Sequence, residues 1–213
     1  VSMGSDEQWE AQAGATFASL HAMIAQSHMD EFGTTREELS SISEKNHYHA
    51  SMNPMAQFPF QISGEAVSNS GIVSSPLRML DCAPNSDGAA AVVLCATEKA
   101  KKFKKESIRI IGSGQASDTL SLHHREHLNR LPAIGIAAKR AFKSCGKKAK
   151  DIDLIEVHDN FTISEVIALE EIGIFKRGKA AEMSLKGETR LGGKIAVNTS
   201  GGLKARGHAP GAT

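Results

Sequence analysis

Cysteine is scarce in this sequence, and its few cysteines lie far apart. There are three, at positions 82, 95 and 145, and no two of them form a CxxC pair. An odd number at such wide spacing argues against a disulfide framework and against a zinc knuckle. We therefore expect a protein of a reducing compartment, with a cytoplasmic location.

Long apolar runs and an excess of one charge are lacking as well. No stretch of 18 consecutive apolar residues occurs, which predicts a chain without a membrane span. Residues 1–7 have neither the basic region nor the apolar run of a signal peptide. Because 25 Lys and Arg residues balance 24 Asp and Glu residues, the sequence offers no electrostatic footprint for nucleic acid or for a membrane surface.

What is present is an ordinary globular composition, with 213 residues of which 40% are hydrophobic and 23% charged. It excludes the disordered and collagenous classes, and the length is enough for one large core or two modest ones. Apolar residues at helical spacing predict five helices, with Gly33 as the C-cap of the first and Thr35 and Glu38 as the capping box of the second. These helices are predicted over residues 9–32, 35–46, 97–103, 132–144 and 161–171.

Apolar or alternating runs predict four strands between the helices. They are predicted over residues 89–95, 107–111, 152–158 and 194–198. Strands that alternate with helices indicate an α/β fold, with a parallel or mixed sheet covered on both faces. Binding sites in such folds form at the carboxyl ends of the strands, and two polar residues, His158 and Asn198, lie at predicted strand ends.

The sequence around His158 allows two interpretations. In the first, His158 donates a hydrogen bond into a cleft, directly or through one water. In the second, it only packs, while Asp159 or Asn160 caps the helix that follows. The local sequence does not decide between them.

The segment 198–211 is more informative, because it has four glycines within eleven residues and His208 among them. Glycines let a backbone approach a ligand closely or adopt a positive φ. The alternative is a long turn with an incidental histidine. Since glycines, a histidine and strand-end polar residues converge here, we interpret the segment as functional.

Two other histidine-rich stretches have weaker claims. Residues 123–127 match the H-x-x-E-H spacing of one class of zinc metallopeptidases. That match needs a helix and a third ligand, and no later glutamate cluster is well placed, so we expect an exposed polar helix or loop without a metal. Residues 46–49 begin a turn-rich part of the chain, where we favour ordinary loop hydrogen bonds over ligand contacts.

Five stretches together resemble the thiolase superfamily, and most closely its sterol-carrier-protein-type and archaeal acetyl-CoA acetyltransferase branch. They are HMDEFGTT (28–35), KNHYHASMNPMAQF (45–58), LDCAPNSDGAAAVVL (80–94), VHDNF (157–161) and NTSGGLKARGHAPGAT (198–213), in family order. The resemblance covers nearly the whole chain, and the last two stretches are its most specific part.

The resemblance implies part of a layered αβαβα fold, with two similar halves and an inserted loop domain. Residues 1–76 would be the later part of the loop domain, residues 77–105 the end of the first half, and residues 106–213 an incomplete second half. Thiolases place a nucleophilic cysteine before the loop domain and a second, acid/base cysteine near the C-terminus. None of the three cysteines matches either position, so we expect a middle portion of a longer protein, without acetyltransferase turnover of its own.

The resemblance also implies roles for residues that are present. His208 would help to activate the thiol and would donate to the thioester oxygen. His158 would complete the oxyanion site for the enolate-like oxygen, as a second neutral donor. Four residues would form the wall beside His208 or contact the pantetheine of coenzyme A, namely Asn198, Gly201, Gly202 and Ala83.

The implied function is a thiolase-type acyl-CoA acyltransferase of lipid metabolism that makes or cleaves a 3-ketoacyl-CoA such as acetoacetyl-CoA. Two alternatives stay open, a retro-aldolase acting on acyl-CoA thioesters and a non-catalytic subunit that binds acyl-CoA. No metal or redox cofactor is implied, because coenzyme A enters as part of the substrate. The implied partners are further copies of the chain, in a dimer or tetramer, and a small zinc-ribbon/OB-type protein.

Overall fold

The computed structural model describes residues 6–100, 102–103 and 106–212, which contain eight α-helices and four short strands. The helices are α1 (Phe17–Phe32), α2 (Arg36–Ala50), α3 (Gly64–Asn69), α4 (Thr97–Ala100), α5 (Pro132–Cys145), α6 (Thr162–Ile172), α7 (Ala180–Leu185) and α8 (Gly202–Arg206). The strands are β1 (Ile72–Ser74), β2 (Leu77–Arg78), β3 (Leu154–Ile155) and β4 (Ala196–Val197).

Helix α6 lies at the centre of the core. Its residues 162–169 are all buried, so the helix is covered on every side. Helices α1 and α2 contribute Ile24, Leu39 and Ile42 to the same apolar cluster, and β4 contributes Val197. Burial of an aliphatic side chain of this size contributes roughly 1.5–3 kcal/mol. The core therefore ties the first two helices to the elements that carry the candidate site.

Several helix ends lie where the sequence predicts them. Gly33 ends α1 in a left-handed conformation, with a φ of 73°. At the start of α2, the Glu38 N–H donates to Thr35 Oγ1 at 3.2 Å and the Thr35 N–H donates to Glu38 Oε2 at 3.0 Å, which confirms the predicted capping box. Helices α5 and α6 lie within one residue of their predicted bounds.

Two predicted helix bounds are wrong. Helix α1 begins at Phe17 rather than at residue 9, because a separate π-helical turn (Glu7–Ala11) precedes it. Helix α2 continues to Ala50, beyond the predicted end near Asn46. Its last turn is buried against the rest of the protein, and tertiary packing there stabilises a helix that the polar sequence did not indicate.

The strands form two small sheets. Strands β1 and β2 pair antiparallel, and β3 and β4 pair parallel, with Leu154 opposite Ala196 and Ile155 opposite Val197. The strands predicted around β3 and β4 are thus confirmed at their centres, and the mixed pairing confirms the α/β class. Because parallel strands end at the same edge of a sheet, the chain that leaves β3 and the chain that leaves β4 start side by side.

The strands predicted over residues 89–95 and 107–111 are wrong. Both segments have no regular secondary structure and lie at the surface, where Val93 is 95% exposed and Ile108 is fully exposed. A strand needs a neighbour that pairs with its backbone N–H and C=O groups. Among the residues that the structure describes, no strand runs beside either segment.

Helix lengths differ from prediction in one further place. The helix predicted over residues 97–103 is present only as α4, and position 101 within it lies outside the described residues. None of the helices in the described ranges combines the length and the apolar character needed to cross a membrane.

Candidate active site

The structure brings His158 and His208 together. His158 lies in the loop between β3 and α6, and His208 follows α8. Their ring centroids are 5.1 Å apart and their planes meet at 82°, an edge-to-face arrangement. His158 is exposed and His208 is half-buried, so the pair faces an open surface of the chain. This geometry agrees with the prediction that the two imidazoles share a site, while their roles in catalysis stay a prediction.

Both imidazoles are held in the neutral form near pH 7. Desolvation by the surrounding protein lowers the pKa of His158 from its usual 6.5, and the neighbouring His208 lowers it further. Desolvation also lowers the pKa of His208, with a smaller effect from Arg206. Each neutral ring carries one N–H donor, and such donors suit a ligand oxygen that becomes negatively charged during a reaction.

A short extended segment, residues 82–86, connects the backbones of the two histidine loops. The Ala83 N–H donates to the Asn160 carbonyl at 2.9 Å, next to His158. At the other end, the Ser86 N–H donates to the His208 carbonyl at 3.0 Å, and the His208 N–H donates to Ser86 Oγ at 3.0 Å. Ala83 therefore lies beside the imidazole pair, and its predicted contact with coenzyme A stays a prediction.

Asn198 supports the site from inside the protein. It is completely buried and has a φ of 54°. Its Oδ1 accepts from the Val157 N–H at 2.8 Å, and its Nδ2 donates to Glu165 Oε2 at 2.8 Å. Both ends of the Asn198 amide are thus engaged within the protein, and they fix the residue that precedes His158.

Gly201 and Gly202 allow a close approach between segments. A side chain on Gly202 would collide with the carboxylate of Asp159, and one on Gly201 would lie 2.7 Å from the Cβ of Ala50. Both residues also have positive φ, at 103° and 58°. These glycines therefore let α8 pack directly against α2 and the His158 loop. Their place in the wall beside His208, which the resemblance implies, stays a prediction.

The alternative in which Asp159 or Asn160 caps the following helix is wrong. Phe161 occupies the N-cap position of α6, and no side chain caps that helix. The Asp159 carboxylate turns the other way and accepts the Leu203 N–H of α8 at 2.6 Å. Because Gly202 has no side chain, the first turn of α8 lies against the Asp159 carboxylate. The carboxylate therefore accepts from the amides of α8 rather than from those of α6, the helix that follows it in the chain.

A buried network of charged and amide groups lies beneath the site. Lys45 on α2 donates to Glu165 Oε1 on α6 at 2.6 Å, and both side chains are completely buried. Lys45 also donates to the Val197 carbonyl at 3.2 Å, and Asn46 donates to Glu165 Oε2 at 3.1 Å. The network joins α2, α6 and β4, and Asn46 connects it to Asp159, the residue that follows His158.

The interpretation of residues 46–49 as a loop with ordinary hydrogen bonds is wrong, and it leaves this network unpredicted. The helix continues through these residues and buries Asn46, His47 and His49. Two features of the sequence point to the network, a run of polar residues at helical spacing after Leu39 and an acidic residue, Glu165, directly before the apolar run 166–169.

A third imidazole, His21 on α1, lies next to the site. Its ring stacks on Phe161 with a centroid distance of 4.4 Å and an interplanar angle of 28°. Its Nδ1–H donates to the Phe17 carbonyl at 2.8 Å, which leaves Nε2 as the acceptor. Burial lowers the pKa of His21, and the charge of His158 lowers it further.

Residues 123–127 do not form a helix with its histidines on one face. A single 3₁₀ turn spans Leu122–His124, and His123 Nδ1 lies 3.1 Å from Glu10 Oε1. Within the described ranges, no group of three or more His, Cys, Asp or Glu side chains is arranged to hold a metal ion.

Comparison with known proteins shows which protein family this chain resembles. The family model described as "Thiolase C-terminal domain-like" matches residues 114–213. An acetyl-CoA acetyltransferase of Methanothermobacter thermautotrophicus is 49% identical over 213 residues, which are 100% of this chain and 56% of that protein. Sterol carrier protein 2 of Gallus gallus is 34% identical over 199 residues, which are 91% of this chain and 36% of that protein.

A solved structure is similar to this chain in fold. The Ltp2–ChsH2(DUF35) aldolase superposes with a TM-score of 0.85 at 27% identity, over 94% of this chain and 54% of that chain. The chain spans about half the length of the archaeal relatives that it matches, at 56% and 55%.

Proposed function

We propose that this chain, which resembles the thiolase superfamily in the branch of the archaeal acetyl-CoA acetyltransferases and sterol carrier protein 2, serves a thiolase-type acyltransferase. The proposed reaction makes or cleaves a 3-ketoacyl-CoA, such as acetoacetyl-CoA, by Claisen chemistry. The observation that carries the proposal is the imidazole pair, His158 and His208, with ring centroids 5.1 Å apart.

The pair fits the step in which charge develops on oxygen. In Claisen chemistry, the thioester carbonyl of the attacking acetyl group becomes an enolate, so negative charge forms on that oxygen. Two neutral N–H donors aimed at it stabilise this charge, and one such donor is typically worth about 2.7–4 kcal/mol. A nucleophilic cysteine of the intact protein would carry the acyl group as a thioester.

Coenzyme A enters this scheme as part of the substrate, and the reaction needs neither a metal nor a redox cofactor. The proposed assembly is a homodimer or tetramer with a small zinc-ribbon/OB-type partner. The name of the structural relative Ltp2–ChsH2(DUF35) joins two proteins, which supports an assembly with a second, different subunit.

The test uses the intact gene product with acetoacetyl-CoA and free coenzyme A. We expect two molecules of acetyl-CoA to form, and one molecule of free coenzyme A to be used, for each acetoacetyl-CoA consumed. We expect iodoacetamide to abolish the reaction because it blocks the nucleophilic thiol. An intact protein that binds acyl-CoA but never turns it over would contradict the proposal and favour a non-catalytic binding subunit.

A second candidate is an aldolase acting on a CoA thioester, and one observation favours it. The solved structure of the Ltp2–ChsH2(DUF35) aldolase covers 94% of this chain with a TM-score of 0.85. Retro-aldol cleavage of a 3-hydroxyacyl-CoA also generates an enolate at the thioester, so it uses the same donors but no acyl-enzyme. Cleavage of a 3-hydroxyacyl-CoA that survives iodoacetamide would therefore identify the aldolase.

The isolated 213-residue chain should form no acyl-enzyme with acetoacetyl-CoA. Burial and Asp81 raise the pKa of the Cys82 thiol to about 11, which lowers its thiolate fraction at pH 8 by about 100-fold relative to a free thiol. Cys95 is exposed and Cys145 is half-buried.

In a time course of iodoacetamide alkylation followed by mass spectrometry, we expect Cys95 to react first and Cys82 last. A stable acyl adduct on any of the three would overturn this prediction.

A further inference from the structure

The buried carboxylate of Asp159 joins the two segments that carry the imidazoles. Asp159 follows His158 in the chain and is 1% exposed. Its Oδ1 accepts from the Leu203 N–H at 2.6 Å, and its Oδ2 accepts from the Lys204 N–H at 3.3 Å. Both amides belong to the first turn of α8, the helix that leads to His208. One side chain thus connects the loop of the first imidazole to the helix of the second.

Helix α8 depends on this carboxylate because it has no cap of its own. Its N-cap residue is Gly201, and no side-chain hydrogen bond caps the helix locally. The first amides of a helix lack partners within the helix. Asp159 accepts two of them from a distant part of the chain, as an N-cap residue does in an ordinary helix. The orientation of α8 therefore follows the position of Asp159.

A third hydrogen bond fixes the carboxylate to the core. Asn46 Nδ2 on α2 donates to Asp159 Oδ2 at 2.7 Å and also lies 3.1 Å from Glu165 Oε2. Glu165 is held in turn by the buried ion pair with Lys45. The carboxylate of Asp159, with the two α8 amides that donate to it, consequently has a fixed position relative to α2 and α6. We call this contact between Asp159 and α8 the clamp.

Position 159 needs a carboxylate, because each of the three hydrogen-bond partners of Asp159 is a donor. An asparagine there would turn one NH₂ group toward an N–H donor and lose a hydrogen bond. Burial and, to a smaller extent, the charge of Glu165 together raise the pKa of Asp159 to about 7, against the opposing effects of the Leu203 amide and Lys45. An acid kept in so unfavourable a place, next to a candidate catalytic residue, points to a geometric role.

We infer that Asp159 is a positioning residue, which holds the His158 and His208 imidazoles against each other by clamping α8 to the loop after β3. Its effect on catalysis rests on the proposed function, whereas its effect on the distance between the rings does not. Asp159 is buried, and it acts through its hydrogen bonds to Asn46, Leu203 and Lys204.

The first experiment is an NMR comparison of this chain with its Asp159→Asn variant, in which ring protons of the two histidines are linked by a nuclear Overhauser effect (NOE). We expect the His158–His208 NOE to be lost in Asp159→Asn, with the far-UV circular dichroism unchanged. Asp151→Asn is the matched control, because Asp151 closes a separate turn by accepting the Lys148 N–H at 2.9 Å. An undiminished NOE in folded Asp159→Asn would overturn the inference.

If Asp159→Asn does not fold, Asn46→Ser provides the same test by removing one donor to the carboxylate. We expect this variant to weaken the NOE, and an unchanged NOE would count against the clamp.

Kinetics of the intact gene product separate this inference from the proposed function. A displacement of about 1 Å in a catalytic group lowers turnover about 10²-fold, so we expect Asp159→Asn to lower kcat about 10²-fold with a much smaller change in KM. A retained NOE together with an inactive His208→Ala would overturn the clamp alone. A lost NOE, with the rate of acetyl-CoA formation unchanged in both Asp159→Asn and His208→Ala, would support the clamp and overturn the proposed function.

Discussion

Replacing His208 with alanine in the intact gene product should lower kcat for the cleavage of acetoacetyl-CoA by about 10²–10³-fold. The removed group is one of two neutral N–H donors at the site, and loss of a single donor to a developing oxyanion costs about 2.7–4 kcal/mol. His158→Ala should have an effect of similar size, because the two rings lie together with centroids 5.1 Å apart. The measurement is the initial rate of acetyl-CoA formation at saturating substrate.

His127→Ala is the matched control for this prediction, because the His127 side chain is 58% exposed and lies outside the imidazole pair. It should leave kcat within a factor of two of the wild-type value. A His208→Ala variant with an unchanged rate would remove His208 from the mechanism. Equal loss in the control would mean that the effect is not specific to the site.

Replacing Lys45 with methionine should destabilise this chain by about 3–5 kcal/mol, since it leaves the Glu165 carboxylate buried without its counter-ion. Lys45 and Glu165 are both 0% exposed, so no water replaces the lost ammonium group. The measurement is urea-induced unfolding at pH 7, followed by circular dichroism. A loss of this size is a large part of the 5–15 kcal/mol by which a typical protein is stable.

Two further variants make this result interpretable. The double variant Lys45→Met, Glu165→Gln leaves no unpaired charge and should recover more than about 1 kcal/mol of the loss. Lys186→Met removes one partner of a surface ion pair, in which the lysine side chain is 58% exposed, and should leave the urea midpoint unchanged. A Lys45→Met variant as stable as Lys186→Met would show that the buried pair does not support the core.

The parts of the site that the sequence could predict depend on local patterns. Alternating residues at 152–158 and the glycines after Asn198 indicated two chain segments that leave strands, and the sheet rule placed both at one edge. The pairing of β3 with β4 confirms that arrangement and explains why His158 and His208 meet. The close packing at Gly202 likewise follows from a residue type that sequence alone makes visible.

The parts of the fold and of the site that the sequence could not predict depend on contacts between residues that are distant in the chain. Lys45 and Glu165 are 120 residues apart, and neither local sequence shows that the other is its partner. The same holds for Asp159, whose carboxylate could cap the following helix or a remote one. Periodicity also predicts a strand at residues 89–95 without showing whether a neighbouring strand exists to pair with it.

His158 and His208 form a pair of neutral donors in this interpretation of the site. A ¹⁵N NMR titration of their ring nitrogens in this chain measures the protonation state of each ring. We expect both imidazoles to titrate below 6.5, so that at pH 7 each ring has one protonated and one bare nitrogen. In His208→Gln, the pKa of His158 should rise only part of the way toward its ordinary value, because the coulombic effect of His208 is removed while the larger effect, desolvation by the surrounding protein, remains. Either ring carrying two protons at pH 7.5, or a His158 titration that ignores the His208 substitution, would contradict the account.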